Sequence, residues 1–209
     1  MRATFACYET YDSIPTNMDA NDTELVHKVL EGHEEAFEQL VHRYQRKVYT
    51  LILRMVRNRE TALELAQDSF LKVYRKLSAL KDMSRISPWI MQIAHNTTLD
   101  WLKRKRVDSV SADFDDQATQ SKLSRFMACS YHQTPEDIVE RLAPSDLDLL
   151  VNRLDIKYRT IITLRFVQGY QFHEIAQILE LPLSTVKFRK HYAIKLLYGM
   201  WVEAHGTPG

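Results

Sequence analysis

The segment Ser184-Thr185-Val186-Lys187-Phe188-Arg189-Lys190-His191 concentrates side chains that bind a polyanion. Lys187, Arg189 and Lys190 are cations suited to phosphates or to guanine acceptors. The hydroxyls of Ser184 and Thr185 reach bases or phosphates. Coiled as a helix, the segment turns Val186 inward. Thr185, Lys187, Phe188, Arg189, Lys190 and His191 then form an outward basic face. A second basic run, Lys103-Arg104-Lys105-Arg106, closes another helical stretch, where cations suit the negative end of the helix dipole. Other chemistry has no comparable signature. There is no phosphate-cradling glycine loop, no clustered His/Cys metal site and no nucleophile motif, and the eight histidines are scattered. The expectation is a binding protein, not an enzyme, that uses no cofactor. Cys7 and Cys129 lie far apart and are read as free thiols.

Positioning such a face requires a helix-turn-helix, and the flanking residues spell one. A short helix from about Gln171 to Leu179 turns Ile175 and Leu179 inward, and small Ala176 permits a close helix crossing. Glu180-Leu181-Pro182 makes the turn, with Leu181 plugging the core. Ser184 and Thr185 cap the second helix, which Val186, Ala193, Ile194 and Leu197 hold to the domain. A basic face at the N-terminal half of a second helix is what major-groove reading needs; a plain helical hairpin with a solvated basic face is the simpler alternative. Glu180 stands where such turns usually have glycine, and if it takes a positive φ it does so at a cost of ~1 kcal/mol relative to glycine. Lys190 falls on the packed side and is expected to snorkel.

Upstream, the apolar period is helical throughout. Asn21 and Asp22 offer N-cap oxygens before Glu24-Leu25-Val26, which reads as a short helix ended by Gly32. Phe37 to Met55 reads as a long one, and Ala62 to Leu77 as a third, capped by Asn58. A polar loop spans about Ser78 to Arg85. Ser87-Pro88 predicts an N-cap and first-turn proline for a helix through Trp89, Ile93 and Trp101. Residues 107–134 have no sustained period and hold Asp113, Asp115 and Asp116, as a flexible linker would. Thr134-Pro135 and Ser145 start further helices, and Tyr158 to Val167 another, ended by Gly169. The fold class expected is all-α: an N-terminal helical bundle, residues 21–106, and a C-terminal helix-turn-helix domain, residues 135–209. Residues 1–20 form a flexible tail.

The net charge of +1 hides a pattern. Residues 21–106 carry 16 basic against 11 acidic side chains, and residues 151–209 carry 8 against 4, while residues 107–150 carry 3 against 9. Two basic blocks flanking an acidic middle suit two polyanion-binding domains. No run approaches the ~20 apolar residues that span a bilayer, and the N-terminus lacks the pattern of a secretory signal. A soluble cytoplasmic chain with no direct membrane insertion is expected.

Three blocks in this order resemble the extracytoplasmic-function (group 4) sigma factors of bacterial RNA polymerase. Arg59 to Phe70 is similar to the family's polymerase-binding helix. Trp89 to Arg104 resembles its W-(L/I)-x-x-I-A-x-N-x-x-x-D-x-L-(K/R)-R helix. Tyr158-Arg159, Glu174-Ile175-Ala176 and Thr185 to Arg189 resemble its C-terminal domain. The resemblance covers roughly residues 22–106 and 135–200. It implies that the recognition helix (Ser184, Thr185, Lys187, Phe188, Arg189, Lys190, His191) reads a −35 promoter element. It implies that the loop and following helix bind the −10 element and help separate the strands, through Lys81, Asp82, Ser84, Arg85, Trp89, Asn96, Lys103 and Arg104. Lys81, Asp82 and Ser84 would line a pocket for an extruded base. Trp89 and Trp101 are either base-stacking or core. Asn96 and Asp100 either touch DNA or pair to fix their helix. Glu64, Gln67, Asp68 and Leu71 would dock on the clamp of the largest subunit of core RNA polymerase. The acidic linker would thread into channels that later hold RNA, and an anti-sigma factor, soluble or membrane-anchored, would hold the chain inactive. The sequence departs from the family at Ile86, where an aromatic is frequent, at Asp155, where proline is common, and at Tyr192, where arginine is usual. A stand-alone helix-turn-helix regulator is the competing reading; it explains residues 150–200 but leaves the N-terminal blocks idle.

Overall fold

The computed structural model describes residues 22–107 and 144–205. The tail and linker expected from sequence, the helix expected from Thr134, Cys7 and Cys129 lie outside the described residues. Within them the chain is helical, with no strand. Four helices form the N-terminal half: α1 (Asp22–Leu30), α2 (Glu34–Val56), α3 (Arg59–Lys76) and α4 (Ile86–Val107). α5 (Pro144–Arg153), α6 (Ile156–Ile162), α7 (Phe172–Leu179) and α8 (Leu183–His205) form the C-terminal half. A π-turn, Thr163–Val167, extends α6.

Local chemistry sets the boundaries. Gly32, at φ 96°, takes the left-handed conformation that ends α1. The Asn58 side chain accepts a hydrogen bond of 2.9 Å from the Thr61 amide and opens α3. Ser87 is not the cap of α4. The Asp82 side chain accepts from the Ser84 amide at 3.1 Å and starts a 3₁₀ turn, Met83–Arg85, that runs straight into α4. Pro88 still falls in the first turn, where a missing N–H costs nothing. Likewise α8 begins at Leu183, so Ser184 and Thr185 lie inside its first turn; the Pro182 carbonyl accepts from the Val186 amide at 3.1 Å and holds the cap position.

The N-terminal bundle buries the stripe foreseen from its period: Leu40, Val48, Leu51 and Ile52 on α2, Ala62, Ala66 and Val73 on α3, Ile90 and Ala94 on α4. A smaller core of Leu150, Val151, Leu154, Tyr158, Ile162, Ala193, Ile194 and Leu197 holds α5, α6 and α8 together.

The two halves do not stand apart. Ile161, Leu164, Tyr170, Ile175, Ile178 and Val186 belong to the same buried cluster as the N-terminal core. α7 lies along α4, and α6 crosses α2. The reason is visible in α6, where every residue from Tyr158 to Leu164 is buried. A helix apolar on one face needs one neighbour; one buried all round needs two. Tyr158 and Ile162 serve the C-terminal core, while Ile161 and Leu164 serve the shared one. Polar contacts follow the seam. The Gln168 side chain donates to the Lys47 carbonyl at 2.8 Å, and Arg54 donates to Asn152 at 3.2 Å.

Candidate nucleic-acid interface

The helix-turn-helix is α7, the turn Glu180–Pro182 and α8. Gln171 and Glu174 close a reciprocal capping box at the start of α7, the Gln171 amide donating to Glu174 at 2.7 Å. Glu180 adopts φ 54° and ψ 42°, the left-handed conformation expected of a glycine there. A non-glycine residue in it costs roughly 1 kcal/mol. Val186 is fully buried and fixes the rotation of α8. Lys187 and His191 are exposed, as is Ser184, while Thr185, Phe188, Arg189 and Lys190 are half-buried. The N–H groups of the first turn at Leu183–Thr185 offer a positive helix end to a phosphate.

The second basic surface belongs to the loop before α4. Lys81, Asp82, Ser84 and Arg85 are all exposed there. Arg85 pairs with Asp82 at 3.1 Å, and the Ser84 hydroxyl donates to the same carboxylate. The hydrogen bonds from Ser84, aided by Arg85, hold the Asp82 carboxyl below its usual pKa. A pocket of about 490 Å³ opens beside this loop, lined by Leu80, Lys81, Asp82, Arg85, Pro88, Trp89 and Gln92. Ser84 is not among its lining residues. Trp89 is half-buried, with its ring packed against the core and part of its surface in the pocket wall. Trp101 lies further along α4, with the Lys105 ammonium 4.9 Å from the centre of its ring. Asn96, Lys103 and Arg104 also lie along α4, so Lys103 sits roughly 20 Å from Trp89 at 1.5 Å per residue. Asn96 is half-buried, its amide oxygen 3.3 Å from His95 Nδ1, and Asp100 is exposed.

Sequence reasoning missed the residues that the C-terminal half brings to these surfaces. Gln177 and Glu180 complete the wall of the loop pocket, and Gln92 donates to the Glu180 carboxylate at 2.7 Å. A second cleft, of about 320 Å³, lies between the halves and is lined by Met55, His95, Leu99, Lys103, Ile156, Lys157, Thr160, Leu179, Leu181 and Arg189. His95 is 8% exposed, and burial pushes its pKa down to about 4. Arg159 is equally buried. It donates to the carbonyls of Asn152 and Leu154 at 3.2 and 3.0 Å, and to Met55 at 3.5 Å. One guanidinium thus joins the negative ends of α5 and α2. Its charge stays in place, although burial lowers its pKa to about 10. Near the start of α4, Ser87 and Tyr170 share a hydrogen bond of 2.8 Å.

On α3, Glu64, Gln67, Asp68 and Leu71 are exposed, and Leu71 keeps 53% of its surface. The departures from the family pattern have local causes. Ile86 is buried in the core, the Asp155 side chain accepts from the Lys157 amide at 3.3 Å and caps α6, and Tyr192 packs on Tyr158 with ring centres 5.0 Å apart.

Two basic surfaces, one on a helix-turn-helix and one on the loop before α4, define a two-domain DNA-binding protein. The model of Sigma-70 region 2 matches residues 40–107, and that of Sigma-70 region 4 matches residues 145–197. The chain is 30% identical over 167 residues to the ECF RNA polymerase sigma factor SigW of Bacillus subtilis, spanning 79% of this chain and 89% of that protein. It is 33% identical over 172 residues to the ECF RNA polymerase sigma-E factor of Salmonella typhi, spanning 80% and 87%. The chain belongs to the ECF sigma factors, which are DNA-binding factors of transcription initiation, and no catalytic family is indicated. Its fold is similar to that of CnrH, solved in complex with the cytosolic domain of CnrY (TM-score 0.60, 20% identity, 88% of this chain and 98% of that one). It is also similar to RpoE of Bartonella quintana, solved with the anti-sigma factor NepR (TM-score 0.57, 17% identity, 79% and 96%). Among the described residues no helix is long and apolar enough to cross a membrane.

Proposed function

We propose that this sigma factor docks on the clamp of core RNA polymerase through Glu64, Gln67, Asp68 and Leu71 and reads promoters at two places. The recognition helix, with Ser184, Thr185, Lys187, Phe188, Arg189, Lys190 and His191, reads the −35 element. The loop pocket takes an extruded base of the −10 element between Lys81, Asp82, Arg85 and Trp89, while Lys103 and Arg104 hold the phosphates of the separated strand. The observation that carries the reading is the pocket. A mixed set of donors, acceptors and one indole surrounds a volume that fits a base, beside a helix that ends in cations. Asp82 is already ionised and held by Ser84, so Ser84 acts by setting the loop. Asn96, against His95, positions α4.

In this account residues 21–106 and 135–209 act as separate readers joined by the acidic segment 107–134. An anti-sigma protein, soluble or membrane-anchored, holds the chain inactive; the complexes formed by CnrH and RpoE support that partner. The reading is tested by gel shift with promoter DNA, with and without core polymerase. Specific complexes are expected only with core. Tight specific binding by the chain alone would favour the stand-alone regulator instead. Pull-down from cells that draws no inhibitor protein would remove the anti-sigma partner.

A further inference from the structure

We propose that the cleft between the two halves binds a small amphipathic anion, a medium-chain carboxylate whose charge is held by Lys103, Lys157 and Arg189. The cleft has a volume of about 320 Å³. That is at the lower end of the ~300–1,000 Å³ of small-molecule sites. Its lining divides by chemistry. Met55, Leu99, Ile156, Leu179 and Leu181 bring apolar surface from α2, α4, α6, α7 and the turn. The Thr160 hydroxyl is turned to its own helix, donating to the Ile156 carbonyl at 2.7 Å. The three cations come from α4, α6 and α8. Lys103 is exposed and Lys157 and Arg189 are half-buried, so the charges stand where the cleft meets solvent.

Charge complementarity selects the ligand. No acidic side chain is among the lining residues. Glu180, the carboxylate that His95 feels, is engaged by Gln92 at 2.7 Å. The Lys157 ammonium lies 5.2 Å from the centre of the Tyr158 ring. Arg159, bonded to the Met55 carbonyl, adds buried positive charge. Burial lowers its pKa first, and the charges of Arg57 and Arg54 lower it further against Asp155. An anion relieves such crowding, and partial burial makes the attraction stronger than in open water. His95 supplies a directed contact. Its Nδ1 lies 3.3 Å from the Asn96 amide oxygen, which leaves Nε2 for a ligand oxygen. DNA does not suit the cleft, because its phosphates would lie against five apolar side chains. The two long tails of a phospholipid exceed the volume. One short apolar chain with a single charged end matches both parts of the lining. The cleft would take this ligand whether or not α8 reads DNA.

The test titrates the full-length chain with sodium hexanoate, octanoate, decanoate and dodecanoate, and with neutral 1-octanol, by calorimetry and methyl NMR. Affinity should rise roughly three- to fourfold per added methylene, then level off once the cleft is full. The methyl signals of Met55, Leu99, Leu179 and Leu181 should shift. Lys157→Gln should weaken octanoate roughly three- to tenfold and leave octanol unchanged. Lys76→Gln, which removes an exposed cation on α3, should change neither. The wild-type methyl shifts decide the site even where a variant fails to fold. No shift at millimolar octanoate, or shifts at exposed Leu71 and Leu149 instead, would overturn the site. Octanol binding as tightly as octanoate would overturn the anionic ligand. Affinity that climbs through dodecanoate without levelling, or equal weakening by Lys76→Gln, would reduce binding to surface adsorption and overturn the proposal.

Discussion

Acidification should loosen the closed molecule at His95. The imidazole lies in the cleft between the halves, with Asn96 and Lys103 on its own helix, Glu180 at the turn after α7, Lys157 on α6 and Arg189 on α8. Burial holds its pKa near 4, against an ordinary 6.5; Asn96 and Glu180 raise it and Lys103 lowers it further. A group whose pKa is lower in the closed form binds its proton more readily when open. Closure is therefore fully supported above pH 6.5 and weakens as pH falls toward 4. At pH 5, with an open-state value of 6.5, the linkage reaches at most about 2 kcal/mol, roughly a thirtyfold shift toward open forms. At pH 7.5 it is close to zero. Small-angle scattering and hydrogen exchange on α4 between pH 7.5 and 5 measure it directly. The wild-type chain should expand and exchange faster at pH 5, whereas His95→Gln, which cannot titrate, should respond far less. An identical pH response in both proteins would refute the argument.

Asn58→Ala removes the cap of α3 and should cost about 1 kcal/mol, read as a lowered denaturation midpoint without a change in slope. Leu71→Ala, at a side chain 53% exposed, should leave the midpoint unchanged within about 0.5 kcal/mol yet weaken association with core polymerase, measured by competition for core. Lys187→Ala should weaken holoenzyme binding to promoters and lower its salt slope by about one, as the loss of one phosphate contact does.

The helix-turn-helix was legible because its signals are local. Glu180 at the turn, Val186 inside and Lys187 outside follow from spacing within some twenty residues. The N-terminal bundle was legible for the same reason, since the stripe from Leu40 to Ile52 has one period and one buried face. The caps were read less well. Ser87-Pro88 is a good start signal, but Asp82 offers a carboxylate one turn earlier, and the chain starts there. The seam was hidden. Ile161 and Ile162 are adjacent and both buried, so they point to different neighbours, and that pair was the available sign that α6 has two partners. Gln92, Gln177 and Glu180 meet across 88 residues of sequence, and no periodicity records such a meeting. The loop pocket was accordingly foreseen from one side only, through Lys81 and Asp82.

The central claim is that one chain reads two promoter elements at a spacing fixed by polymerase. Run-off transcription over a randomised promoter library, with core polymerase and this sigma factor, measures it most directly. Active templates should share two sequence elements at a constant separation, and Lys187→Ala should relax only the upstream one. Templates enriched for a single element, or specific DNA binding that needs no core polymerase, would contradict it.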